Sequence, residues 1–170
     1  MGYSDLFIGH TIGYIGNALD PVADAYAGGA TTDVFNMANF HNGAFVMVQG
    51  AIEDAGISNI VTLLACDDAT PSNSSTMAFR HRSYTASTDA WAAMLTAAAA
   101  GYNFNSNNAV ANGIHVVEFS ASEVFADGGN GYGYVQLSIA ETANKTVTAG
   151  ILFIGLDPRH NDGTPSGAKT

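Results

Sequence analysis

The 170 residues carry 15 acidic and five basic side chains, a formal net charge of −10, and only 12% of the chain is charged. With so few cations there is no phosphate-binding patch, so neither nucleic acid nor an anionic membrane is expected as a partner; Arg80 and Arg82 are the one close basic pair. A single cysteine, Cys66, excludes an internal disulfide and a cysteine-rich zinc site, and a chain of this length hides roughly 70% of its unfolded surface and folds without either.

Residues 1–30 are rich in Gly and Ala and keep no steady period. Leu6, Phe7, Ile8, Ile12, Tyr14 and Ile15 are apolar, but Gly9, Gly13 and Gly16 interrupt them, as in an arm or edge segment rather than a core strand. Those six side chains need cover from their own domain or from a neighbour, and they are the candidate contact residues of the chain. Asp5 stands where a secretory leader would carry Lys or Arg, so manufacture and use without Sec export is expected. No run is apolar over the roughly 18 residues of a spanning helix.

Residues 31–38 read as a strand, 39–43 as a turn, and 44–49 as a strand apolar enough to be buried on both sides. A loop over 50–58 leads to a third strand over 59–66. The Asp, Pro, Ser and Asn of 67–76 form a turn mixture. A fourth strand, 77–84, places Met77, Phe79, His81 and Ser83 on one face and Ala78, Arg80, Arg82 and Tyr84 on the other. Residues 87–101 predict a short helix, with Ser87 or Thr88 as cap, an alanine run, and Gly101 as stop. The spacing of Trp91 and Leu95 also suits a strand. A polar loop over 103–112 precedes a strand at 114–119, and Ser120 with Glu123 matches a capping box that predicts one helical turn.

The stretch from Tyr132 to Leu156 reads as two strands joined by the polar turn 142–145, and as an antiparallel hairpin around which the rest is arranged. Its second strand is apolar on both faces, as in a central strand covered twice. From residue 157 the chain is polar. About seven closely spaced strands and little helix predict an all-β fold, an antiparallel β-sandwich or jelly-roll-like barrel with one or two short helices. The sandwich is expected over 31–158, with the arm or edge segment at 1–30 and a polar tail at 159–170.

Chemistry-bearing patterns are sparse. His10, His41, His81, His115 and His160 lack the spacing of a local metal motif, although His81 and His115 lie in predicted strands that can approach each other. Asp67 and Asp68, with Asn73 and Asp89, offer hard oxygen donors but match no calcium loop, and a solvated acidic turn is the stronger expectation. Cys66 ends an apolar strand and reads as a small core residue. Ser72–Ser75 lack the Gly-x-Ser-x-Gly turn, and the glycines of 128–133 lack the lysine and following helix of a phosphate loop. Tyr102, Phe104, Tyr132 and Tyr134, with Trp91, could line a sugar-binding face; packing is the stronger expectation. No enzyme activity and no cofactor are expected.

Several segments in order carry a family resemblance. They are Thr32–Phe40 leading into Ala44–Val48, Val61–Asp68, Met77–Arg82, His115–Ser120 and Tyr134–Leu137. Across residues 30–160 this order resembles head-decoration (cement) proteins of tailed bacteriophages and prophages. The matching segments are packing motifs and carry no catalytic residues. The resemblance implies a protein of the virion, made in the host cytoplasm, that binds the capsid exterior. There it would bridge capsomers of the major capsid protein, commonly as a homotrimer. The apolar segment 6–15, outside the resemblance, would then lie on the capsid or on a sister subunit. The alternative is a carbohydrate-binding β-sandwich of a phage tail or fibre.

Overall fold

Strands alternate side chains between two faces, so each inward apolar row needs a second sheet to cover it. The computed structural model, which describes residues 12–52, 58–85, 89–105, 113–127, 131–142 and 146–159, supplies that cover with two antiparallel sheets. The strands are β1 (Ile12–Val22), β2 (Ala30–Thr31), β3 (Phe35–Asn36), β4 (Phe40–Ile52), β5 (Ser58–Cys66), β6 (Ser74–Met77) and β7 (Phe79–Thr85). Then follow β8 (Ala90–Trp91), β9 (Leu95–Ala97), β10 (Tyr102–Asn105), β11 (Ile114–Ser120), β12 (Tyr134–Glu141) and β13 (Val147–Pro158). A single α-helix, α1 (Ala121–Asp127), and one 3-10 turn, Met37–Asn39, complete the described elements.

The larger sheet runs β1-β13-β4-β11-β7-β8, with β9 also on β7, and the smaller runs β10-β5-β12-β2, with β3 on β12 and β6 on β5. Strands pair from the two ends of the chain inward: β1 with β13, β2 and β3 with β12, β4 with β11, and β5 with β10, all antiparallel. That nesting is one long hairpin rolled into a double sheet, the jelly roll expected from the sequence. Strands β6 to β9 are an excursion that widens the larger sheet.

One expectation fails here. Strands β12 and β13 do not form a hairpin; β12 pairs β5 in the smaller sheet and β13 pairs β1 and β4 in the larger. Val135, Leu137 and Ile139 face Ile151 and Phe153 across the core instead of lying beside them. A short polar connection permits either arrangement, and the need to bury both inward rows selects the crossing.

Other boundaries shift for similar reasons. The predicted turn at 39–43 is the start of β4, because Gly43 is paired on both sides, to Phe119 and to Gly155. The predicted strand at 31–38 breaks into β2, β3 and the 3-10 turn, which Asn36 caps by accepting from the Ala38 backbone N–H. Strand β4 continues through Ile52 into the predicted loop, β10 takes the first residues of the predicted loop at 103–112, and residues 53–57 and 106–112 lie outside the described set.

The predicted helix at 87–101 is absent among its described residues, where β8 and β9 pair the outer edge of β7. An unpaired edge and the packing of Trp91 on Tyr84 outweigh alanine's helix preference. Gly101 ends a turn rather than a helix. Its φ is +97°, and a Cβ there would sit 2.6 Å from the Val61 carbonyl oxygen. At the far end β13 runs through Pro158, and Asp157 accepts from Asn42 Nδ2 while Arg159 Nε donates to the Phe40 carbonyl. Residues 160–170 lie outside the described set.

The capping box stands as read. Glu123 N–H donates to Ser120 Oγ at 3.2 Å, and Ser120 N–H donates back to Glu123 Oε2 at 2.6 Å. Ser120→Ala is expected to cost about 1 kcal/mol, read as a shift in urea midpoint at constant slope. No shift would mean that packing of Ala121 and Val124, both buried, holds the helix alone.

Candidate interaction surface

The inward face of the larger sheet supplies Phe45, Met47, Val117, Phe119, Ile151 and Phe153 to the core. Alternate residues of the same strands point outward, and in the middle of the sheet they are apolar as well. Register lines them up in three rows: Ile15, Ile154 and Ala44; then Leu152, Val46 and Val116; then Gly150, Val48 and Ile114. Ile15, Val48 and Leu152 are 57%, 45% and 38% exposed, and Ile12, at the end of the strip, is 48% exposed. Ala44 and Val116 are buried and form a second small cluster with Val46, Ile114 and Trp91.

Charge borders this strip on the β7 side. Arg82 is buried, 3.7 Å from Glu118 and 5.2 Å from the centre of the Trp91 ring; Arg80 reaches Glu123 at 3.8 Å. At the other end of the strip a groove of about 490 Å³ is lined by Leu19, Pro21, Val48, Gly50, Gly150 and Leu152 among others. Gly150 lets Pro21 close over the strand, since a Cβ there would sit 3.0 Å from Pro21 Cβ. The arrangement suits insertion of aliphatic side chains from a partner surface and has no charge to pair.

The candidate contact residues divide. Leu6, Phe7 and Ile8 lie outside the described residues. Ile12 and Ile15 are exposed on β1, the edge of the larger sheet, where register shifts after Ile12, Asn17 and Leu19 explain the missing periodicity. Tyr14 turns inward, its ring 6.2–6.5 Å from those of Phe35, Phe40 and Phe153. Sequence reading missed Val48 and Leu152 because it assigned both faces of their strands to a covered core. The available signal was the run of aliphatic residues on both faces of strands 44–49 and 147–156.

The polar candidates find structural employment. Asp67 accepts from Ser72 Oγ, from the backbone N–H of Asp68, Ser72 and Asn73, and from Asn73 Nδ2, at 2.8–3.2 Å. The Asn73 and Ser72 donors hold its carboxyl down to about 2. A carboxylate saturated by loop donors organises the turn, and no cluster of three potential metal ligands occurs among the described residues. Cys66 is buried, and burial with Asp67 and Asp68 alongside pushes its thiol up to about 11, so it remains a thiol.

His81 and His115 do meet on the inward face of β7 and β11; His10 and His160 lie outside the described residues, and His41 is exposed. The described aromatics considered for a sugar face are scattered, and the Phe104 side chain lies outside the described set. Trp91 lies on the outward side against Arg82 and Tyr84, Tyr102 stacks on His81, and Tyr132 packs against the core.

No protein-family model and no curated protein matches the chain. Among solved structures, the VP2 subviral particle of infectious bursal disease virus is similar at 13% identity, and a structure of the Gx strain of that virus at 12%, each with a TM-score of 0.24. Both comparisons cover 89% of this chain and 42% of the other, so the chain spans less than half the length of either viral protein. A likeness of that size says nothing about function.

Proposed function

We propose that the chain is a phage capsid decoration protein that binds the exterior of the head and stabilises contacts between capsomers of the major capsid protein. The observation that carries this reading is the outward strip of Ile12, Ile15, Val48 and Leu152, an exposed apolar surface on a rigid sheet. The resemblance over residues 30–160 and the low-charge surface support it. Jelly rolls serve many roles, including shell and sugar-binding ones, so the fold alone does not decide. On this reading each bound copy adds buried apolar area across a subunit boundary and favours the assembled shell by mass action. The same reading includes a homotrimer, residence in the virion after synthesis in the host cytoplasm, and no reaction performed.

The test is co-sedimentation with heads of the encoding phage or prophage that lack the protein. Leu152→Asp combined with Val48→Asp places two carboxylates in the contact without touching the inward core. Binding is expected to weaken at least about tenfold, since each buried aliphatic side chain is worth about 1.5–3 kcal/mol, while the thermal midpoint changes little. Unchanged binding by the folded double variant would remove this surface from the interface. No binding by the unaltered chain would remove the decoration role itself.

A further inference from the structure

We propose that Tyr26, Gln49 and Asn59 form an internal binding site for small neutral hydrogen-bonding molecules, filled by ordered water, at one end of the space between the two sheets. This goes beyond capsid attachment and does not depend on it. The three side chains are almost fully enclosed, at 1%, 2% and 2% exposure. Yet among the described residues the Tyr26 hydroxyl, both ends of the Gln49 amide and the Asn59 amide oxygen are shut off from solvent without a hydrogen-bond partner.

The fold brings these groups to the same end. Residues 23–29 connect β1 to β2 and cross from one sheet to the other. The Ala25 N–H donates to the Val147 carbonyl of the larger sheet at 2.8 Å, and the Gly28 N–H donates to Glu141 Oε2 of the smaller at 2.7 Å. Tyr26, between these two anchors, is buried in the core with its hydroxyl toward Gln49. Gln49 follows Phe45 and Met47 in the inward row of β4 and stands opposite Ala149, two residues beyond Val147. Asn59 begins the inward row that β5 continues with Val61 and Leu63, and it stands opposite Glu141. Both amides thus end an apolar row where the crossing segment closes the sandwich.

Direct pairing leaves this set unsatisfied. Turning the Tyr26 hydroxyl onto Gln49 Oε1 would use those two atoms only. The two hydrogens of Gln49 Nε2 and the Asn59 oxygen would remain, on strands of different sheets. The Gln49 backbone N–H is already given to the Gly113 carbonyl, so the shortage belongs to the side chain. Buried polar groups are almost always paired, and ordered water is the usual partner where the chain supplies none. A buried water makes about three hydrogen bonds and both donates and accepts, so roughly one or two molecules match one hydroxyl, two amide oxygens and one NH2. The three side chains are neutral and mix donors with acceptors, which suits water better than an ion of either sign. Asp24 Oδ1, on the same segment, is also enclosed without a partner. It adds an acceptor, and makes a bound cation the alternative that the test must separate.

A high-resolution crystal structure of the full chain tests the site. At least one water is expected within about 2.7–3.2 Å of Gln49 Nε2 and of either Tyr26 Oη or Asn59 Oδ1. A peak with oxygen ligands at about 2.3–2.6 Å would be a cation, and would overturn the proposal. So would a side chain of the protein filling the place, or a dry gap. In solution, magnetic relaxation dispersion of the solvent counts long-lived internal waters. The unaltered chain is expected to hold at least one, and Gln49→Met, apolar and of similar length, is expected to lose it. Asn59→Ala replaces that variant if Gln49→Met does not fold. No long-lived water in the unaltered chain, or an equal count in the folded variant, would overturn the site.

Discussion

Replacing Phe153 with alanine is expected to lower stability by about 3–5 kcal/mol, the range for truncating a buried aromatic side chain that its surroundings cannot fill. Phe153 is fully buried at the centre of the core. Its ring stacks on Phe35 at 4.2 Å with 12° between planes, meets Phe45 edge-on at 5.4 Å, and lies 6.3 Å from Phe40 and 6.2 Å from Tyr14. These partners come from three strands, β1, β3 and β4, and Phe40 and Phe45 stand five residues apart on β4, so they cannot close on the vacancy together. A domain has only about 5–15 kcal/mol in total, so the variant sits near its unfolding threshold. The measurement is the urea midpoint at constant slope. A loss under about 1 kcal/mol would show that the aromatic cluster is loosely packed.

The neighbouring residue separates fold from function. Leu152 adjoins Phe153 in sequence and points to the opposite face. If the proposed decoration role holds, Phe153→Ala weakens capsid binding only to the extent that the chain unfolds. Leu152→Asp should weaken binding in a chain that still melts at nearly the original temperature. If both variants lost binding in proportion to lost stability, the outward strip would be a consequence of fold integrity rather than a contact surface.

The sandwich was legible because alternation is a local property. Val135, Leu137 and Ile139, or Val117 and Phe119, announce an inward row without reference to any other strand. The Ser120–Glu123 box was legible for the same reason, since both partners lie within one turn. Pairing was not legible, because nested partners such as β1 with β13 are separated by most of the chain and nothing local distinguishes a hairpin from a crossing between sheets. The alanine-rich stretch at 87–101 misled because helix preference amounts to a few tenths of a kcal/mol per residue, less than the pairing and packing on β7. The outward apolar strip was half legible. Ile12 and Ile15 were singled out as apolar residues in a broken pattern, whereas Val48 and Leu152 looked like members of a covered strand. Apolarity on both faces shows that something covers each side, and not that the cover belongs to the same chain.

Gly155→Val is expected to destabilise the protein although Val is the better strand former. Gly43 and Gly155 stand directly opposite each other on β4 and β13, both buried and on the inward face. A Cβ on Gly155 would lie 2.6–2.8 Å from the Phe40 ring, and one on Gly43 would lie 2.8 Å from the Phe119 ring. The two rings occupy the space that two missing side chains leave over the backbone. Neither position has a left-handed φ, so the conflict is with side chains, the two rings and, at Gly43, the Met37 methyl at 3.2 Å. Strand preference and reduced chain entropy favour replacing glycine by about 0.5–1 kcal/mol. Overpacking a filled core costs about 1–3 kcal/mol or more, and Phe40 and Phe119 are each 1% exposed, with no free volume into which to swing. The steric cost wins, and the sign of the change decides between the two effects. Gly155→Ala is the milder probe and should also destabilise, and adding Phe40→Leu should recover part of the Gly155→Val loss by shortening the obstructing side chain. A stabilised Gly155→Ala variant in urea denaturation would show that Phe40 yields easily and that the glycine pair does not set the packing of the central strands.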